Sequence, residues 1–154
     1  MGKTIKTSAE IFDSEGNSTN QFLEFDLEDI ELPLRYQELV EEDKKNIDHL
    51  KNQMLIIERK EDVKGKKLLS KNEEDKIRAL NEFFKKEAQI YNMFLGENGV
   101  EKLLNGRKLG WTSLKEIDEI IEKQIIKHIN ISADDITKKI KEKYGKSNNN
   151  EVLK

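Results

Sequence analysis

The chain has no cysteine, which removes disulfides, thiolate metal sites and cysteine nucleophiles from consideration. It has one proline and eight glycines in 154 residues. So few turn formers argue for long uninterrupted segments, which helices supply better than many short strands, and against a sandwich or barrel. Only 35% of the residues are hydrophobic and 6% aromatic, while 38% are charged. The apolar residues must therefore lie on narrow faces of otherwise solvated elements. No apolar run approaches the roughly 18 residues that a membrane span needs, and the first residues hold no apolar signal-type stretch. The expectation is one cytoplasmic domain with no membrane contact, since domains typically hold roughly 100 to 150 residues.

What is present is charge, and its distribution is uneven. Residues 1–62 carry 16 acids and 8 bases, whereas residues 63–154 carry 15 acids and 20 bases, within an overall charge of -3. Such polarity favours head-to-tail association or a partner at each end, set against ordinary solvated helix faces.

The first 32 residues read as a β-hairpin. Ile5, Thr7, Ala9 and Ile11 recur with period two, as do Leu23, Phe25 and Leu27, with Glu24 and Asp26 on the opposite face. The stretch from Asp13 to Asn20 between them is rich in Gly, Asn and Ser and suits a loop. A lone hairpin needs a covering helix or another chain's strand.

Pro33 suits the first turn of a helix. Tyr36, Val40, Asp43, Ile47, Leu50, Met54 and Ile57 follow at spacings of 4 and 3, nearly a coiled-coil seam. Within it Val40, Ile47, Leu50, Met54 and Ile57 are the candidate self-association residues, and a homo-oligomer is expected. Residues 58–67, with Gly65, form a polar connection. Ser70 or Asn72 then caps a second helix, with Glu73, Glu74 and Asp75 in its first turn. Its stripe is Ile77, Leu80, Phe84, Ala88, Tyr91 and Leu95. Phe83, Ile90 and Phe94 widen the apolar arc, so at least one of these three is expected to stay partly exposed and bind a partner. Gly96 and Gly106 bracket a short helix with Val100, Leu103 and Leu104. Ser113 and Glu116 have capping-box spacing for a third long helix, whose apolar face is Ile117, Ile120, Ile121, Ile125, His128 and Ile129. Trp111 reads as a staple over Leu114 or Lys115, or as an interface anchor. Ser132 and Asp135 repeat the box before Ile136, Ile140 and Tyr144, and residues 146–154 are expected to be disordered.

Chemistry-bearing motifs fail on inspection. Gly145-Lys146-Ser147 lacks the P-loop's earlier glycine, for which Ile140 stands. Asp13, Glu15, Asn17 and Glu24 fit positions of a calcium loop, but Ser18 occupies the glycine position. His49 and His128 have no second ligand at metal-binding spacing. No enzyme activity, cofactor or metal is expected. Lys138, Lys139, Lys141, Lys143 and Lys146 make the most basic segment and would serve a nucleic-acid-binding regulator, although the acidic chain and a single stacking residue, Tyr144, count against nucleic acid.

The segment Phe94-Leu95-Gly96-Glu97-Asn98-Gly99-Val100-Glu101-Lys102-Leu103-Leu104-Asn105-Gly106-Arg107 resembles tail assembly chaperones of long-tailed phages and prophages of Gram-positive bacteria. There a helix ends in Phe-Gly or Leu-Gly, a short helix follows, and a Gly-Gly-Arg-like turn leads into the last helix. Leu95-Gly96 and Asn105-Gly106-Arg107 stand at those places, with Asn105 for the first glycine and an extra Gly110-Trp111. The aromatic-acidic strand Phe22-Leu23-Glu24-Phe25-Asp26 and the acidic helix start Tyr36-Gln37-Glu38 are similar too, and the likeness covers roughly residues 20–130. It implies a non-enzymatic protein of the bacterial host cytoplasm. Such a protein binds the tape-measure protein, keeps it soluble during tail assembly and meets the tail tube protein. Partner-binding candidates are Phe83, Ile90, Phe94 and Trp111. A structural phage component is the other phage reading. The expected fold is α+β and mainly α, with an N-terminal β-hairpin, three longer helices and one short helix. It forms a single domain over 1–145 (hairpin 1–32, helical part 33–145), followed by the tail 146–154.

Overall fold

The computed structural model describes residues 6–12, 15–26, 29–129 and 133–144. It is mainly helical with an N-terminal antiparallel hairpin, as the sequence predicts. Strands β1 (Lys6–Phe12) and β2 (Ser18–Asp26) pair so that Thr7 faces Phe25 and Ala9 faces Leu23, with an irregularity at Ile11/Phe12. On β2 Leu23 and Phe25 lie on one face, and Phe25 and Ile11 are buried; Ile5 and Leu27 of the predicted alternation lie outside the described residues. The cover that a lone hairpin needs comes from the same chain: the Phe25 ring stacks on Phe94 at 5.9 Å, and Glu10 N donates to Gln124 Oε1 at 3.0 Å.

Helix α1 (Leu32–Glu58) begins with Pro33 in its first turn, where a missing N–H costs nothing. The chain enters it through Asp29, whose Oδ1 accepts from Glu31 N and whose Oδ2 accepts from Arg35 at 3.0 Å. These contacts hold the Asp29 carboxyl below its ordinary value. Helix α2 (Lys71–Leu95) starts at Ser70 with a reciprocal capping box: Ser70 Oγ accepts from Glu73 N, and Glu73 Oε1 accepts from Ser70 N. Of the two caps open in the sequence, Ser70 is the one used. Ser70→Ala is expected to cost about 1 kcal/mol, measured by chemical denaturation, with no change in the folded far-ultraviolet spectrum.

Gly96 ends α2 at φ 96°. Helix α3 (Gly99–Leu104) is packed so closely onto α2 that a Cβ on Gly99 would overlap Leu95 Cβ. Asn92 Oδ1 accepts from Val100 N at 2.8 Å and so caps this short helix from the side of α2. Asn105 and Gly106 then turn the chain with positive φ. Arg107 leaves the turn bonded to Leu104 O and to Glu116 at 2.8 Å.

Helix α4 (Trp111–Ile120) departs from expectation at both ends. It begins at Gly110, with Ser113 at the third helical position. Ser113 Oγ accepts from Gly110 N at 2.8 Å and donates to Lys108 O, so Ser113 is not the N-cap. The expected continuous helix to Ile129 also gives way, to a π-helical turn at Ile121–Ile125 and a 3₁₀ turn at Ile126–His128. Ile117, Ile121 and Ile125 are all buried at a spacing of four. On an α-helix that spacing drifts about 40° per step, and the wider turn cancels the drift. Helix α5 (Ala133–Tyr144) completes the described residues. The proposed Ser132 cap and the 146–154 tail lie outside them.

The main core joins Leu32 and Leu39 of α1, Ile90, Tyr91, Phe94 and Leu95 of α2, Val100, Leu103 and Leu104 of α3, and the isoleucines of α4 and the π turn. A second, smaller core of Leu50, Ile57, Ala79 and Phe83 belongs to α1 and α2 alone. The later half of α1 and the first half of α2 thus form a two-helix arm carried by the main core.

Candidate functional site

The arm absorbs the predicted seam. Leu50 and Ile57 are buried in its core, and Ile47 and Met54 are partly buried against it. Of the five self-association candidates only Val40 is exposed. The stripe that looked fit for a second copy is mostly occupied by α2 of the same chain.

The partner-binding candidates on α2 need a firmer correction. Phe83, Ile90 and Phe94 are each at least 96% buried, so the expectation that one stays exposed does not hold. The buried face of α2 runs through Ala79, Phe83, Glu87, Ile90, Tyr91, Phe94 and Leu95, while Ile77 of the presumed stripe is exposed. The widened arc is the core itself, because α2 meets α1 on one side and the hairpin on another. Trp111 is the one candidate that remains at the surface, 57% exposed. Its ring lies 5.3 Å from Phe83 and 4.9 Å from Phe84, so it caps the arm's core from α4.

Other apolar side chains take the surface role. Leu55, Ile56, Val63 and Ile77 are half or more exposed near the far end of the arm, and Leu68 is 89% exposed. An open depression of about 610 Å³ runs beside Ile56, Ile57 and Ala79 and is rimmed by Lys60, Lys71, Asp75 and Arg78. Another, of about 440 Å³, borders Leu68, Leu69 and Ile77. Several of the rim charges are paired along α2, Lys71 with Asp75 at 2.8 Å and Arg78 with Glu74 at 2.7 Å. Those pairs raise the lysine and arginine and lower the acids. With their cations exposed at the surface, these pairs contribute little to stability; they keep a solvated border around apolar ground.

A different kind of feature sits where α1, α2 and α4 meet. Glu87 is fully buried. Asn46 Nδ2 donates to its Oε1 at 2.8 Å and to Phe83 O at 3.2 Å. Burial and the hydrogen-bonded carboxyl of Asp43 push Glu87 up to about 8. One turn on, the Tyr91 hydroxyl donates to Asp118 Oδ1. Burial first, and then the Asp118 carboxylate, raise the tyrosine; burial also raises Asp118. A cavity of about 210 Å³ opens beside this cluster, lined in part by Tyr36, Asp43, Tyr91, Asp118 and Glu122. Asp43 stood in the predicted stripe of α1. Glu87 went unread, although it lies four residues from Phe83 and seven from Phe94.

His49 borders a groove with Glu42, Lys45, Leu50 and Phe83, and His128 is exposed in the 3₁₀ turn. Among the described residues no group of three or more His, Asp or Glu side chains is arranged to hold a metal, and no helix is long and apolar enough to cross a membrane. Comparison with protein-family models, curated proteins and solved structures finds no match for this chain.

Proposed function

We propose that this chain is a phage tail assembly chaperone of the host cytoplasm that binds the tape-measure protein and keeps it soluble, without enzymatic chemistry. The far end of the arm carries the reading. Five exposed apolar side chains, bordered by lysines and paired charges, suit capture of an amphipathic helix by its apolar stripe. The likeness in sequence around Leu95-Gly96 and Asn105-Gly106-Arg107 supports it. So do the two glycine turns and short helix formed there. Contact with the tail tube protein and assembly into oligomers belong to the same proposal.

Co-expression with a tape-measure protein tests it. Ile56→Asp with Leu68→Asp is expected to abolish solubilisation while helicity and melting behaviour stay near those of the parent, because both side chains are exposed. Full solubilisation by this double variant would count against the arm as the binding surface.

The lysines separate this reading from a nucleic-acid-binding regulator. Replacing Lys138, Lys139, Lys141, Lys143 and Lys146 with glutamine should leave tape-measure co-purification almost unchanged. Burial of apolar faces, at about 25 cal/mol per Å², outweighs screened surface charge. Tight duplex binding that weakens steeply with salt in the parent and is lost in the variant would establish the regulator instead.

A further inference from the structure

We propose that the carboxyl pair of buried Glu87 and half-buried Asp43, braced by Asn46 and adjoining the Tyr91–Asp118 bond, is a proton-held latch: one shared proton keeps α1, α2 and α4 joined, and its loss opens the joint locally.

The geometry requires a proton there. Glu87 is fully buried, and its Oε2, like Asp43 Oδ1, is shut away from solvent with no ordinary donor facing it. Two ionised carboxylates so placed would repel in a medium far less screening than water. A carboxylic acid facing a carboxylate satisfies both, because one oxygen then donates to the other. The groups acting on Glu87 are Asp43 and Asn46 from α1 and Asp118 from α4, none of them cationic. Tyr36 and Glu122 complete the titratable lining of the adjoining cavity, and again no lysine or arginine stands among that cavity's walls. Lys45, His49 and Lys86 border Asn46 and Phe83 in the neighbouring groove, with Lys45 paired to Glu42, and among the described residues the groups that act on Glu87 do not include them. The raised value of Glu87, about 8, sets where that happens.

Opening would be transmitted directly. Asn46 bonds both Glu87 and the carbonyl of Phe83, and the Phe83 ring lies against Trp111 at the start of α4. Asp118, on the same helix as Trp111, is bonded to Tyr91 of α2. The cavity beside the cluster gives water a way in. The chain's one tryptophan is thus a built-in reporter of this joint.

The experiment is a titration of Trp111 emission from pH 6 to 9.5 on the full chain, with far-ultraviolet circular dichroism recorded in parallel. His49→Gln and His128→Gln are included so that imidazole titration is accounted for. The expected result is a reversible one-proton change in emission centred near pH 8 with helicity retained. Glu87→Gln, which keeps a donor toward Asp43 at all pH values, should abolish it. Asp43→Asn, which removes the like charge, should move the midpoint to lower pH. Amide exchange across the middle of α2, corrected for intrinsic rates, should accelerate through the same midpoint in the parent; this reading holds even if a variant fails to fold. The latch is overturned by an emission that stays flat in the parent, by a transition that survives Glu87→Gln, or by loss of helicity in step with the emission change.

Discussion

Phe94→Ala is expected to be among the most damaging single truncations, costing about 3 to 5 kcal/mol. The ring is 98% buried, stacks on Phe25 at 5.9 Å and meets Tyr36 edge-on at 5.8 Å. It therefore ties the hairpin and α1 to α2 through one side chain. Domains of this size are stable by about 5 to 15 kcal/mol, so the loss takes a large share of the total. Chemical denaturation of the parent and the variant measures it. Phe22→Ala, on a half-exposed ring of the same strand as Phe25, should change stability by about 0.5 kcal/mol or less. Equal effects from the two truncations would contradict the docking of the hairpin described above.

The second large effect is a decline in stability on the neutral-to-alkaline side. Below the ordinary glutamate value of 4.5, Glu87 is protonated in both folded and unfolded chains, and its contribution is intact. Between 4.5 and about 8 only the unfolded chain releases the proton, so stability falls as pH rises, by up to about 1.4 kcal/mol per pH unit. Above about 8 the loss is complete. Asp118 is raised as well and acts in the same sense. The exposed or half-buried acids Asp29, Asp62, Glu73, Glu74 and Asp75 are lowered and act in the opposite one: their contribution is present above their ordinary values and disappears as pH falls through the lowered ones. Denaturation midpoints are therefore expected to peak near pH 5 and to drop toward pH 8. Glu87→Gln should flatten the drop; an unchanged slope in that variant would assign the decline to other groups.

Much of this architecture was legible because local signals agreed with the global fold. Alternation in the strands, Pro33, the Ser70–Glu73 box and the glycines at 96 and 106 each act within a few residues, and each appears in the structure where its spacing places it. What was misread depends on how many neighbours an element has. A stripe on α1 that looks like a seam for a second chain is equally a seam for α2, and spacing alone does not say which. For α2, three neighbours require a broad buried face, so an arc that seemed too wide for one partner was the core. The polar joint was hidden for a different reason. A glutamate between aromatic residues looks like a break in a stripe until its partners, Asp43 and Asn46, arrive from more than 40 residues away in sequence. The surface of the arm was missed because Leu68 and Ile56 carry no pattern; exposure is a property of what fails to cover them.

The π-helical turn at Ile121–Ile125 leaves the molecule sensitive to a kind of change that substitutions do not test. Each helical residue advances the chain by about 1.5 Å and turns it by about 100°. The wide turn is equivalent to one residue lodged in an α-helix, and it is what brings Ile125 back onto the face already occupied by Ile117 and Ile121. Straightening this segment into an unbroken α-helix at its present length would swing Ile125, Ile126 and Ile129 by about 100° around the helix axis and away from the core they now contact. Deleting one residue there would instead absorb the wide turn and leave Ile125 on the same face, whereas inserting one more would displace it. The segment is thus open to a change of length in one direction and closed to it in the other.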